Sequence, residues 1–249
     1  MQDCPIAPPF RTNSRSFPHV GLQWGMMFEG SQPHLQGVPL FPLPNVVLFP
    51  GAVLPLHIFE ERYKTMMRMA LDGDRQIAMA LLRPGWEKNY YGIPAIEPVV
   101  CVGTILTHER LPDGKYNLLL QGVLRAQVAR EYHVQPYRTA DLQPIEETHV
   151  MEIDVESERQ HFADLFDDGP LANSNIARQF RQILAGPLPT GQLADLLAFN
   201  FLEDVELKQQ LLAEGDVKTR IARTLEGLQS LAPTMPLAAS RAIPAPHWN

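Results

Sequence analysis

At 249 residues with 45% apolar side chains, the chain is long enough for one large or two small domains, which excludes a disordered, collagen-like or disulfide-stapled polypeptide. Twenty-one Lys and Arg against 28 Asp and Glu give a net charge of −7, and without a Lys/Arg-rich run nucleic acid is not an expected partner. The apolar runs fall short of the ~20 residues a bilayer span needs, and the Pro-rich N-terminus lacks the apolar stretch of a secretory signal, so no membrane partner is expected and the expected location is cytoplasmic.

Residues 1–37 read as a disordered Pro-rich tail, interrupted by the patch Trp24–Phe28. That patch is either a docking element or a sign that translation begins at Met26 or Met27. Order is expected from Val38. Val38–Asn45 alternates apolar residues with prolines, which predicts an edge strand or an extended lead-in. Val46–Phe49 and Val53–Leu56 read as short strands around a Pro50-Gly51 turn. Phe59, Tyr63, Met66, Met67 and Ala70 share one helical face, which ends at Asp72-Gly73.

Strand patterns then dominate. Gln76–Leu82 precedes a loop, Arg83–Pro98, that carries Trp86, Tyr90, Tyr91 and Ile93. Val99–His108 and Lys115–Leu124 flank Leu111-Pro-Asp-Gly114, a strong hairpin signal, and Gly103 and Gly122 predict bulges in a curved sheet. Tyr137–Ile145 is the expected closing strand. These elements suggest a small, partly closed barrel over 38–147.

Ten of the 28 acids lie between Asp141 and Asp168, where Arg159 is the only Lys or Arg. This acidic connector is either a docking site for basic partners or a solvated helix face. From there the apolar period is 3.6 and predicts a helical half over 148–232. Its helices are Ile153–Asp168, Asn175–Ala185 capped by Asn and Ser174, Gln192–Phe201 capped by Thr190, Val205–Ala213 capped by Asp204, and Val217–Leu231 capped by Asp216. A second Pro-rich tail fills 233–249.

The search for chemistry finds no phosphate-cradling Gly-x-x-x-x-Gly-Lys-Ser/Thr, no Gly-x-Ser-x-Gly elbow and no metal-ligand spacing, so no cofactor, no metal and no catalytic residue is assigned. Cys4 and Cys101 are expected to be free thiols in a reducing compartment. His57 and Glu60, three apart, have the spacing of an acid–base pair, but Glu60 and Glu61 are explained as well by the preference of acids for a first helical turn.

Val38-Pro-Leu-Phe-Pro-Leu-Pro-Asn-Val-Val-Leu-Phe-Pro-Gly-Ala-Val-Leu-Pro-Leu-His-Ile-Phe-Glu-Glu-Arg-Tyr63 resembles the opening signature of the Lon protease N-terminal domain, the LON substrate-binding domain. The likeness continues through Met66–Gly73, Val102–Thr104, Asp113–Lys115 and Gln121–Ala126, and then through Leu193–Asn200, Leu207–Leu212, Asp216, Val217 and Arg220. It implies an α+β fold, a PUA-like β pseudobarrel followed by a C-terminal helical bundle. It also implies a non-catalytic module for unfolded or damaged polypeptide segments, or an adaptor for a protease or chaperone. The ATPase and Ser–Lys peptidase modules of full Lon proteases have no counterpart among these residues. The competing expectation is a weak or cryptic hydrolase or peptidase, distinguished by whether the purified chain turns over peptide without ATP. Oligomeric state is not legible.

Two surfaces are expected to take polypeptide. One is the start of the first helix with the adjoining loop, where Trp86, Tyr90, Tyr91 and Ile93 either supply apolar area or simply pack down on the barrel, Glu60, Glu61 and Arg62 form the rim, and Tyr63 completes the set. The other is the seam between barrel and bundle.

Overall fold

The computed structural model describes residues 35–90, 92–133, 136–174 and 176–231. Residues 1–34 of the N-terminal tail, the Trp24–Phe28 patch and Cys4 among them, the C-terminal tail and Tyr91 lie outside the described residues, whereas Leu35 O and Gly37 N already bond to Leu142 N and Asp141 Oδ1.

Six strands build the first half: β1 (Val38–Leu43), β2 (Val53–Ile58), β3 (Gln76–Leu81), β4 (Val99–Arg110), β5 (Tyr116–Tyr132) and β6 (Arg138–Pro144). The neighbour order is β2-β5-β4-β3-β1-β6, and a further β5–β6 pairing closes the last five of these strands into a ring. Along the ring strands, alternate residues point to opposite faces. One set, including Val38, Leu40, Ala78, Ala80, Val100, Val102, Ala126 and Ala140, meets in a common cluster. Its small side chains suit the interior of a narrow barrel. The other set, including Phe41, Leu43, Ile77, Met79 and Cys101, packs in one core with α1 (Glu61–Asp72) and the helical half.

The expectation of an edge position for Val38–Asn45 is corrected. β1 is an interior strand, antiparallel to β6 over Val38–Leu40 and parallel to β3 over Leu40–Leu43. Pro39 and Pro42 each fall where the strand has one partner only, so each missing N–H can face the unpaired side. Val46–Phe49 is likewise not a strand. It is buried irregular chain, with Leu48 and Phe49 fully inaccessible, and its neighbourhood is tied to the sheet by Gly51 N donating to Gly122 O at 2.9 Å.

β5 runs eight residues past the predicted Leu124. Its first half pairs with β2 and its second half with β6, while β4 accompanies it on the other side. The exchange of neighbours occurs at a bulge, because Val102 faces Leu124 but Gly103 faces Gly122. A Cβ on Gly122 would stand 2.0 Å from the Phe49 carbonyl oxygen, so only glycine lets the 46–52 segment approach this closely.

The second half contains α2 (Glu156–Asp167), α3 (Ala177–Leu184), α4 (Thr190–Phe201), α5 (Val205–Ala213) and α6 (Val217–Gln229). Asp204 accepts from Glu206 N and Leu207 N, and Asp216 accepts from Thr219 N, the predicted N-caps of α5 and α6. Two other predicted caps are corrected. Thr190 is the first residue of α4, and its backbone N and Oγ1 both donate to the Glu152 carboxylate, at 2.9 and 2.6 Å. The carboxylate therefore caps the helix from a distance in sequence. Ser174 does not cap α3 with its hydroxyl but accepts from Ala177 N with its backbone carbonyl, and the other predicted cap, Asn175, lies outside the described residues.

Most acids of the connector are exposed, as the solvated-face expectation has it, and several of them also make contacts within the fold. Glu147 pairs with Arg125 and Arg220, Glu152 caps α4, and Asp154 lies 3.6 Å from Lys218. All three acidic side chains remain at least 41% exposed while they make these contacts.

The seam between the halves is filled. Arg125 of β5 donates to both oxygens of Asp195 of α4 at 2.9 and 2.8 Å, and Arg220 Nε of α6 lies 3.0 Å from Asp195 Oδ1. All three side chains are at most 3% exposed. Arg125 Nε also donates to Leu212 O, and Arg220 Nη1 to Glu214 O. Burial pushes the Asp195 carboxyl up and the Arg125 guanidinium down from their ordinary ranges, against their mutual attraction. The seam groove expected as a second binding surface is thus replaced by packed core and buried charge.

Candidate functional site

The site is built where the chain enters α1. Glu60, the N-cap residue, is extended, and its carbonyl accepts from Tyr63 N and Lys64 N while its side chain caps nothing. That leaves the carboxylate free to accept from Arg62 Nε at 3.0 Å and from the Tyr90 hydroxyl at 2.5 Å. His57 is drawn elsewhere, its Nδ1 lying 2.7 Å from Asn117 Oδ1, so the spacing that suggested a His57–Glu60 acid–base pair brings no such pair together.

Tyr90 reaches Glu60 because the loop after β3 is pinned at its base. Leu82 bridges to Ile96, and Arg83 N donates to Ala95 O at 2.9 Å. A 3₁₀ turn, Trp86–Asn89, begins after Gly85 in the left-handed region. It lays Trp86 edge-on against Tyr90 with ring centroids 5.5 Å apart. The Arg62 guanidinium lies 4.6 Å from the Tyr63 ring centre and 4.9 Å from that of Tyr90, a cation held between two aromatic faces. Tyr63 packs edge-on against Phe41.

The other wall comes from the chain leading into β6. Arg138 donates from Nη1 to Pro94 O at 2.7 Å and from Nε to Glu131. A cavity of about 240 Å³ lies between these walls, with Pro42, Tyr63, Tyr90, Ile93, Tyr137 and Arg138 among its lining residues. Burial pushes the Tyr63 hydroxyl up to about 12, and burial with the Glu60 hydrogen bond pushes Tyr90 higher still. Both phenols therefore stay neutral at physiological pH. The lining offers apolar faces, neutral hydroxyls and paired guanidiniums, which suit holding a ligand by contact and hydrogen bonding. Among the described residues no group of three or more His, Cys, Asp or Glu stands close enough to hold a metal ion.

Of the residues proposed from sequence, the structure brings Glu60, Arg62, Tyr63, Tyr90 and Ile93 together. Tyr63 is buried at 3% exposure and forms the floor, whereas Ile93 is half exposed at 51%. Trp86 lies behind Tyr90 and does not line the cavity. Glu61 does not belong with them. Successive helical residues point about 100° apart, and Glu61 faces a separate cavity with Lys64 and Arg68. Sequence reasoning missed Pro42, Leu82, His133, Tyr137 and Arg138, which line the cavity from positions distant in sequence. No local signal marks them, because barrel closure through β6 is what brings His133, Tyr137 and Arg138 to α1.

Fold and site together define the class: a closed β-barrel with an appended helical bundle and a cavity where two loops meet the first helix. Residues 37–230 match the family described as the ATP-dependent protease La (LON) substrate-binding domain, and the chain belongs to that family. It is 25% identical over 191 residues to the Lon protease of Desulfosudis oleivorans, covering 77% of this chain and 23% of that protein. It is 27% identical over 193 residues to the Lon protease of Dictyoglomus thermophilum, again covering 23% of the relative. The chain thus matches about a quarter of the length of these curated relatives. In three dimensions it resembles the N-terminal domain of a Mycobacterium avium complex Lon protease, with TM-score 0.62, 15% identity and coverage of 78% of this chain and 99% of that one. A Lon N-terminal domain protein from Xanthomonas campestris matches with TM-score 0.55, 20% identity and coverage of 77% and 98%. Among the described residues no helix is long and apolar enough to cross a membrane.

Proposed function

We propose that this chain is a non-catalytic polypeptide-binding module that takes unfolded or damaged protein segments, or presents them to a protease, through the cavity beside the first turn of α1. Family membership supports the substrate class. The observation that carries the location is the meeting of Arg62, Tyr63, Tyr90 and Ile93, from two separate segments, around one cavity. At about 240 Å³ the cavity is smaller than the ~300–1,000 Å³ of sites for drug-sized ligands. It matches one large apolar side chain projecting from a longer segment. Tyr90 and Arg138 then border the segment with polar groups, which favour orientation more than affinity. A single shallow anchor gives a dissociation constant on the order of micromolar.

The test is fluorescence anisotropy of a labelled, unfolded apolar peptide with the full chain and with its Tyr90→Ala/Ile93→Ala variant. Loss of both contacts weakens binding about tenfold or more. Equal affinity in a variant with an unchanged circular dichroism spectrum removes this cavity from the reading. Absence of binding by the unmodified chain at 100 times the expected constant, about 100 μM, removes the function.

A further inference from the structure

A second cavity lies across α1 from the first. Glu61, Lys64 and Arg68, spaced three and four apart, line up along one side of the helix. Facing them is the β4–β5 hairpin, where Arg110 and Tyr116 stand opposite each other in register and Gly114, at φ +82°, makes the turn. A Cβ built on Gly114 would meet nothing within 4 Å, so the tip leaves the cavity mouth open. The cavity measures about 120 Å³.

Its charge runs against that of the whole chain. Three cations and one acid line it in a protein of net charge −7. Arg68 donates to Thr65 Oγ1 at 2.9 Å, and neither it nor Arg110 has a carboxylate partner among the described residues. The one acid shows which chemistry the cavity accepts. Glu61 lies 2.5 Å from Lys64 Nζ, but its side chain is 84% exposed and can swing away, whereas that of Lys64 is only 15% exposed. Lys64 is held in place while its present anion is not.

We propose that this cavity binds a phosphate-type oxyanion, with Lys64, Arg68 and Arg110 as the cationic ligands and the Glu61 carboxylate as the group displaced. The size admits one tetrahedral oxyanion and excludes a nucleotide. Two guanidiniums and an ammonium converging from two elements favour a doubly charged oxyanion over chloride. The site is separate from the polypeptide cavity and stands or falls independently of it.

The experiment is a titration of the full chain with inorganic phosphate at constant ionic strength, followed by backbone amide NMR shifts. Saturable shifts confined to 61–68 and 110–116 are expected. Arg68→Gln/Arg110→Gln weakens binding about tenfold, and Glu61→Gln, by freeing Lys64, tightens it about threefold. A phosphoserine peptide, compared with its serine counterpart, separates the sources. Tighter binding of the phosphopeptide than of free phosphate assigns a modified polypeptide, and the reverse order assigns the free ion. Absence of saturable shifts with both sources overturns the proposal. So does unchanged affinity in the double arginine variant, or in Glu61→Gln.

Discussion

Asp195→Ala removes the one carboxylate that lies buried between two buried guanidiniums. Asp195, Arg125 and Arg220 have side-chain exposures of 2, 3 and 2%, so neither arginine can turn to water when the carboxylate goes. Breaking a buried pair by deleting one partner costs about 3–5 kcal/mol, mostly because a charge is left uncompensated. Two charges are affected here, but Glu147 still contacts both. The expected loss is therefore about 4 kcal/mol. For a domain of this size each kcal/mol lowers Tm by about 2–4 °C, giving a drop of about 8–16 °C. Glu147→Gln is the internal comparison. Glu147 touches the same two arginines but is 41% exposed, so solvent can replace it and the loss should be about 1 kcal/mol. Thermal unfolding by circular dichroism, with urea unfolding as a second measure, reads both variants. If Asp195→Ala costs no more than Glu147→Gln, burial is not what gives this cluster its energy and the reasoning is wrong.

Gly122→Ala should destabilise by about 1–3 kcal/mol, read as a lower urea midpoint, because the added methyl meets the Phe49 backbone and not a movable side chain. An unchanged midpoint would mean that the 46–52 segment is not packed against β5. Lys208 gives a pH test. Burial lowers its pKa from 10.5 to about 8, while its ammonium donates to Phe199 O at 2.9 Å. A lysine whose folded pKa is depressed destabilises the fold below that value, and the cost is relieved as pH rises from about 8 towards 10.5. The stability advantage of Lys208→Met over the unmodified chain should then shrink by about 1–3 kcal/mol between pH 7 and pH 10.5. A gap that stays constant across that range contradicts the assignment.

Much of the architecture was legible in local sequence because local physics decides it. The face Tyr63, Met66, Met67, Ala70 reads as a helix at a glance, and its four residues are the buried ones of α1. Asp113-Gly114 places the hairpin, and Asp204 and Asp216 cap the helices they precede, since an Asx side chain reaches only its own turn. The family signature in Val38–Tyr63 identifies the fold for the same reason: its residues are contiguous. A third of the residues lining the candidate cavity was within reach too, because Arg62 and Tyr63 sit in that signature and Tyr90 and Ile93 in a loop too rich in turns to be core.

Tertiary structure decided what depends on partners distant in the chain. Whether Pro39 and Pro42 bar a strand from the sheet interior depends on where its neighbours begin and end, and β3 and β6 leave room for both. Whether Thr190 or Glu152 caps α4 depends on a contact across 38 residues. Glu60, Glu61 and Arg62 look alike as a charged turn, yet helical rotation sends Glu61 to one cavity and Arg62 to another. Arg125, Asp195 and Arg220 read as three unremarkable charges separated by 70 and 25 positions. Only packing the bundle against the barrel removes water from them together. In a low-dielectric seam that removal turns ordinary surface charges into a coupled unit on which both halves depend.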